Sequence, residues 1–272
     1  MGGRERRTED RGEEATSTDQ QQNQPKNGRN EMARVSVERK TNRSSTKLTR
    51  NSATKMATDG VEEVQIESKG LLGLLGVPPG ARAIVVFAHG SGSGRLSPRN
   101  TRVAAELRRA GLATFLLDLL TPEEEADRRN VFDIPLLAKR LQLASEWLRS
   151  RPNTATLSQG YFGASTGAGA ALTAAAALTD TSTPIRAVVS RGGRPDLAMN
   201  VLDRVCAPTL LLVGGLDGQV IGMNERALNA LVNCKQKKLH IVPGATHLFE
   251  EPGTMEEVVR HAKKWFLEYL HE

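Results

Sequence analysis

The stretch LSQGYFGASTGAGAALTAAAAL, Leu157 to Leu178, constrains the fold more than any other part of the chain. An apolar run with strand character enters Gly163-Ala164-Ser165-Thr166-Gly167 and leaves as an alanine-rich run with helical character. Glycines two before and two after a single serine clear the space for a turn in which any neighbouring side chain would clash. A turn of that kind, from buried strand to helix, presents the serine hydroxyl at the carboxyl edge of a sheet as a nucleophile. The competing reading is packing alone, small residues letting a helix lie close to a sheet.

The rest of the chain supplies the sheet. RAIVVFAHG, LATFLLDLL, TLSQGYFGA, IRAVVS, PTLLLVGG and KKLHIVPG read as strands, several of them apolar throughout. SPRNTRVAAELRRAG, DIPLLAKRLQLASEWLRSRP, the alanine run, DLAMNVLDRV, NERALNALVN and MEEVVRHAKKWFLEYL read as helices between and after them. Continuous apolar strands alternating with helices predict a mostly parallel sheet covered on both faces. In such sheets ligands bind beyond the carboxyl ends of the strands, so the residues following each strand carry the chemistry.

The first of these loops is HGSGSGRLSPRN. Gly90, Gly92 and Gly94, with Asp118 ending the next strand, imitate a dinucleotide fingerprint, but Arg95 stands where the third glycine belongs and the helix cannot begin before Pro98. No Gly-Lys-Ser/Thr follows, which also excludes a phosphate loop. The loop reads better as backbone amides beside the serine turn, with His89 ordering it through hydrogen bonds.

Two further loops complete a constellation. Asp217 in LLVGGLDGQVI lies 52 residues after Ser165, directly behind a strand, and His247 in VPGATHLFEEPG follows 30 residues later behind the next. Serine, acid and histidine in that order, each at a strand end, is the arrangement that activates a serine hydroxyl in this topology. Asp217 could instead be a turn residue, and Asp196 in GGRPDL is a second candidate for the acid, or a helix cap. His240 sits inside an apolar strand and reads as a satisfied core residue, while His261 and His271 fall on the terminal helix.

GASTG, VGGLD and GATH at this spacing resemble the α/β-hydrolase superfamily, and FAHGSGSGRLSPRN with VVSRGGRPDLA resembles its dienelactone hydrolase-like branch, over roughly Val61 to Glu272. The resemblance implies an α/β-hydrolase fold without a large lid domain, only a short helix fitting between Ser190 and Pro208. It also implies a serine hydrolase forming an acyl-enzyme at Ser165, with His247 as base and Asp217 orienting it. Backbone amides of Ser91 and Thr166 would form the oxyanion hole. Dienelactone hydrolases carry Cys where this chain has Ser165, and an Arg shortly after the His where this chain has Leu248 to Glu251, so dienelactone itself is not the implied substrate. Small soluble esters, lactones or thioesters fit an open site, with Arg191 behind its strand as a candidate for attracting an acidic substrate. The chemistry calls for no metal and no organic cofactor. A non-catalytic receptor on the same fold would keep the same residues.

Length and charge set the remaining bounds. The chain has 272 residues, 39% of them hydrophobic, enough for one large α/β core. Its net charge of +6 is misleading, because residues 1–55 hold 13 Lys/Arg against 8 Asp/Glu and the remainder holds 24 against 23. The nearly neutral body gives no reason to expect a nucleic-acid partner. Residues 1–57 read as a disordered polar tail ahead of a catalytic domain at 58–272. The basic, Ser/Thr-rich run from Met32 fits an organelle-targeting segment less well than a plain tail, given the acidic residues between Glu5 and Asp19, and Arg6 breaks the myristoylation pattern that Gly2 begins. With no secretory signal, no membrane span and two cysteines, Cys206 and Cys234, the expectation is a reduced cytoplasmic protein acting on a small molecule, away from membranes, its oligomeric state open.

Overall fold

The computed structural model describes residues 60–270, so the tail expected at residues 1–57, and His271, lie outside the described residues. Eight strands form one sheet. They are β1 (Val61–Ile66), β2 (Leu71–Gly76), β3 (Ala83–Ala88), β4 (Ala113–Leu117), β5 (Ser158–Ala164), β6 (Ala187–Arg191), β7 (Thr209–Gly214) and β8 (Lys237–Val242). Their order is β1-β2-β4-β3-β5-β6-β7-β8, with β2 antiparallel to both β1 and β4 and every pair among β3 to β8 parallel. The expected parallel sheet is therefore present, extended by a hairpin that the strand reading did not include.

Every residue of β3, β4 and β7 is buried, which is why these strands carry no polar alternation. The helices are α1 (Pro98–Arg109), the single turns α2 (Pro122–Glu125) and α3 (Arg128–Val131), then α4 (Ile134–Arg149), α5 (Thr166–Leu178), α6 (Gly218–Ala230) and α7 (Thr254–Tyr269). On one face Val103, Ala104 and Leu107 of α1 and Val258, Ala262 and Phe266 of α7 meet Val85, Phe87 and Phe162. On the other, Leu137, Leu141 and Ala144 of α4 and Ala170, Ala171 and Ala174 of α5 meet Ile84, Val86 and Tyr161. The alanines let α5 lie in close contact with the strands, so the packing role of the alanine run and a functional role for Ser165 coexist.

The helix expected from DLAMNVLDRV is instead two 3₁₀ turns, Pro195–Ala198 and Leu202–Arg204. Pro195 opens the first of these turns. Among the described residues that segment holds no lid. The helix read from NERALNALVN begins earlier, at Gly218, directly behind Asp217.

Candidate active site

Ser165 sits between β5 and α5 with φ 49° and ψ −122°, a conformation an L-residue adopts only at a cost of about 1–3 kcal/mol. Its neighbours hold it there. Its N–H donates to Arg191 O at 3.2 Å, and its carbonyl accepts from the Ala168 and Arg194 amides at 3.0 Å each. The flanking glycines are where the space runs out. A Cβ on Gly167 would stand 2.2 Å from Ala88 O, and one on Gly163 2.5 Å from Ala168 Cα. Both contacts are with backbone, so a side chain at either position displaces a strand or a helix.

His247 and Asp217 meet across two loops. His247 Nδ1 lies 2.6 Å from Asp217 Oδ2. Asp217 is the residue preceding α6, where an aspartate ordinarily caps the helix, yet its side chain makes no cap bond and turns to the imidazole instead. Asp196 is engaged elsewhere, both its oxygens taken by Arg194 at 2.8 Å. The loop holding His247 passes Gly192, whose Cβ would lie 3.0 Å from His247 O and 3.5 Å from His247 Nδ1. Ser165 is bonded to the residues on either side of that same glycine pair, Arg191 and Arg194, so serine and histidine converge at the end of β6. Among the described residues neither Ser165 Oγ nor His247 Nε2 has a hydrogen-bond partner, so the serine and the imidazole are not bonded to each other.

The oxyanion loop differs in one detail from the expectation. Ser91 N–H donates to Thr166 Oγ1 at 2.9 Å rather than pointing free. Thr166 opens α5, so its own amide is among the unpaired donors of a helix start. Its hydroxyl, having accepted from Ser91, keeps a proton with no acceptor among the described residues. His89 does order the loop. Its Nε2 accepts from Leu119 N–H at 3.0 Å, so Nδ1 carries the proton and donates to Gly90 O at 2.9 Å. Burial pushes the pKa of this ring below the ordinary 6.5, against smaller raising effects of the Gly90 bond and of Asp118 and Glu125. Asp118 is spent on Arg95, accepting from its backbone N–H and its Nη1 at 2.5 Å each, so it is not a free ribose acceptor.

Arg191 is the least expected member. The residue is 6% exposed, and among the described residues no carboxylate pairs with it and its Nε has no hydrogen-bond partner. The guanidinium lies 5.9 Å from the centroid of the Phe249 ring. Burial, followed by the charge of Arg99, drives its pKa down from the usual guanidinium range to about 10. Arg99, at the start of α1, is bonded to Glu250 at 2.8 Å, and with Phe249 these residues line a depression of about 310 Å³. A larger cleft of about 450 Å³ runs along the glycine loop between Ser93, Arg95, Asp118, Leu120 and Glu125. Neither hollow is lined by Ser165 itself. His247, Asp217 and Arg191 line neither of them either.

His240 departs from its reading as a core residue. It is only half-buried on the edge strand β8, and its Nε2 lies 2.9 Å from Glu257 Oε1. Cys234 is buried and Cys206 exposed, both reduced. Among the described residues no helix is long and apolar enough to cross a membrane.

No family model matches the chain. The crystal structure of dienelactone hydrolase from Anabaena variabilis is 52% identical, covers 78% of this chain and 99% of its own, and superposes with a TM-score of 0.71. Est1E from Butyrivibrio proteoclasticus is 15% identical with a TM-score of 0.65, covering 78% of this chain and all of its own, and shows the fold alone. Two Mycobacterium tuberculosis proteins bearing the name "putative phosphoribosyl transferase" are 58% identical over 211 residues, which is 77% of this chain and 46% of theirs. The chain thus spans about half the length of the curated relatives it matches.

Proposed function

The chain belongs to the dienelactone hydrolase-like branch of the α/β-hydrolase superfamily, and from that membership we propose that it hydrolyses small carboxylic esters, lactones or thioesters at Ser165. The observation that carries the reading is the 2.6 Å contact of His247 with Asp217, made by an aspartate that forgoes its helix cap, beside a serine held at positive φ.

In this mechanism His247 Nε2 takes the Ser165 proton as Oγ attacks the acyl carbon, and Asp217 holds the imidazole with Nδ1 protonated and stabilises the imidazolium. The tetrahedral oxyanion is met by the Thr166 amide and by the Ser91–Thr166 pair, in which the threonine hydroxyl has a proton to give. Collapse expels the alcohol or thiol, which takes its proton from His247. Water, deprotonated by the same ring, then releases the acid. No step calls on a metal or organic cofactor.

Arg191 favours an acyl or leaving group that carries a carboxylate. Arg99 is already balanced by Glu250, so the region retains one uncompensated buried charge, a match for a monoanion.

The transferase name of the M. tuberculosis proteins describes chains about twice the matched length. Within the glycine loop the Ser91 amide is taken by Thr166 and the Arg95 amide by Asp118. The decisive experiment is turnover of p-nitrophenyl acetate with fluorophosphonate labelling mapped by mass spectrometry. Label on Ser165 and loss of turnover in Ser165→Ala support the hydrolase. A full-length protein that neither turns over nor labels would be a binding protein on this fold.

A further inference from the structure

At the outer edge of the sheet lies a cluster that the hydrolase reading does not use. Strand β8 contributes His240, and α7 contributes Glu257 and His261 one helical turn apart. His240 Nε2 is 2.9 Å from Glu257 Oε1, and His261 Nε2 is 3.5 Å from the same oxygen. The two imidazoles face each other with centroids 3.8 Å apart, and the three donor atoms all fall within 4.8 Å of one another. We propose that His240, Glu257 and His261 bind a divalent cation of the zinc type, clipping the edge strand to the last helix.

The donor set selects the metal. Two imidazoles and one carboxylate suit Zn²⁺ and its late first-row neighbours, whereas Ca²⁺ and Mg²⁺ require oxygen ligands. Bonds of about 2.0–2.1 Å in tetrahedral array put donor atoms about 3.3 Å apart. The observed 2.9 and 3.5 Å separations bracket that spacing, and the third, between the two rings' donor atoms, is within 4.8 Å, so binding draws the rings into place by side-chain shifts. One carboxylate oxygen does not satisfy both rings as they stand, since at 3.5 Å His261 is beyond a good hydrogen bond. The cluster is half-buried, which leaves a fourth coordination position open to water.

Two cations oppose the ion, Arg260 by contact and Lys238 through its charge on His261. Arg260 Nη2 lies 2.8 Å from His261 Nε2 and 3.3 Å from Glu257 Oε1. Its side chain is exposed, so it can swing into solvent, but it competes for the same two ligands. The position gives binding a structural consequence. β8 leads into the loop that carries His247, and α7 leaves that loop, so the clip would tie both ends of the segment. The site stands apart from Ser165 and does not depend on the hydrolase proposal.

The test is calorimetric titration of chelator-treated full-length protein with Zn²⁺ alone, paired with thermal melts. Saturable binding of one ion per chain is expected, with a Zn²⁺-dependent rise in Tm. His240→Ala, Glu257→Gln and His261→Ala should each weaken it by tenfold or more, Arg260→Gln should tighten it, and His247→Ala should leave it unchanged. Absence of saturable binding, or binding indifferent to the three ligand substitutions, overturns the proposal. If an alanine variant fails to fold, a failure of Arg260→Gln to tighten binding overturns it equally.

Discussion

His247 Nδ1 and Asp217 Oδ2 are 2.6 Å apart, and the contact joins two loops that leave adjacent parallel strands. It bears on the two candidate acids of the sequence, of which Asp217 lies nearer the end of its strand. Asp217 faces the imidazole and Asp196 is saturated by Arg194. Asp217→Asn should leave the melting curve nearly unchanged and lower kcat by on the order of 10⁴, because the amide holds the wrong imidazole tautomer. Asp196→Asn should lose little activity. Steady-state kinetics on the two variants decide between them, and the reverse pattern would reassign the acid.

The Ser91–Thr166 contact makes opposite forecasts for two ways of building the oxyanion hole. If the threonine hydroxyl donates to the oxyanion, Thr166→Val should cut kcat by about 10²–10³ with little change in KM, and Thr166→Ser should restore it. A bare Ser91 amide as donor would instead be released by valine, and activity would hold or rise. The first outcome is expected, since the hydroxyl proton has no acceptor among the described residues.

Arg191 should declare itself by selectivity. Arg191→Met keeps the length of the side chain and removes an unpaired buried charge, so the variant should melt higher than the parent. The ratio of kcat/KM for p-nitrophenyl hemisuccinate over p-nitrophenyl butyrate should fall by tenfold or more. An unchanged ratio would make Arg191 purely structural.

His89 gives the fold a pH dependence of known sign. The folded ring is neutral with its pKa held below 6.5 by burial, while the unfolded ring titrates at about that value. As pH falls below 6.5 the unfolded chain takes up a proton that the folded chain refuses, so stability is lost toward acid until the depressed pKa is reached. The loss from this group is at most about 1.4 kcal/mol per pH unit in that window. Denaturant titrations between pH 7.5 and 5 should show a steeper decline for the parent than for His89→Gln.

Much of this architecture is legible in the sequence, for a physical reason. β3 and β7 are buried on both faces, and burial on both faces writes a nearly unbroken apolar run. The serine turn is legible because its glycines are forced by backbone contacts. The β1–β2 hairpin is harder to see. β1 is largely exposed and reads VEEVQI, with no clean alternation, although Glu67-Ser68-Lys69-Gly70 between two strand-length runs is a turn signal. The Ser91–Thr166 bond, the approach of Arg191 to Phe249 and the meeting of His240 with His261 join residues 75, 58 and 21 positions apart. No local pattern encodes them.

The final prediction concerns the cost of Ser165 itself. Its φ of 49° with ψ −122° is a region open to glycine and disfavoured for every residue with a Cβ. Ser165→Ala keeps the Cβ and the unfavourable backbone, so it should fold with nearly the parent stability while losing hydrolysis and fluorophosphonate labelling. Ser165→Gly also removes the nucleophile but relieves the backbone, a gain of about 1–3 kcal/mol set against about 0.4–1 kcal/mol of added freedom in the unfolded chain. The glycine variant should therefore be the more stable of the two, by roughly 1 kcal/mol. Gly163→Ala and Gly167→Ala should move the other way, because their new methyl groups meet backbone at 2.5 and 2.2 Å. A serine kept at this position for packing would make Ser165→Gly destabilising, as glycine normally is beside a helix. Denaturant melts of the four variants, read beside their labelling, separate a position under strain for chemistry from one that is merely small.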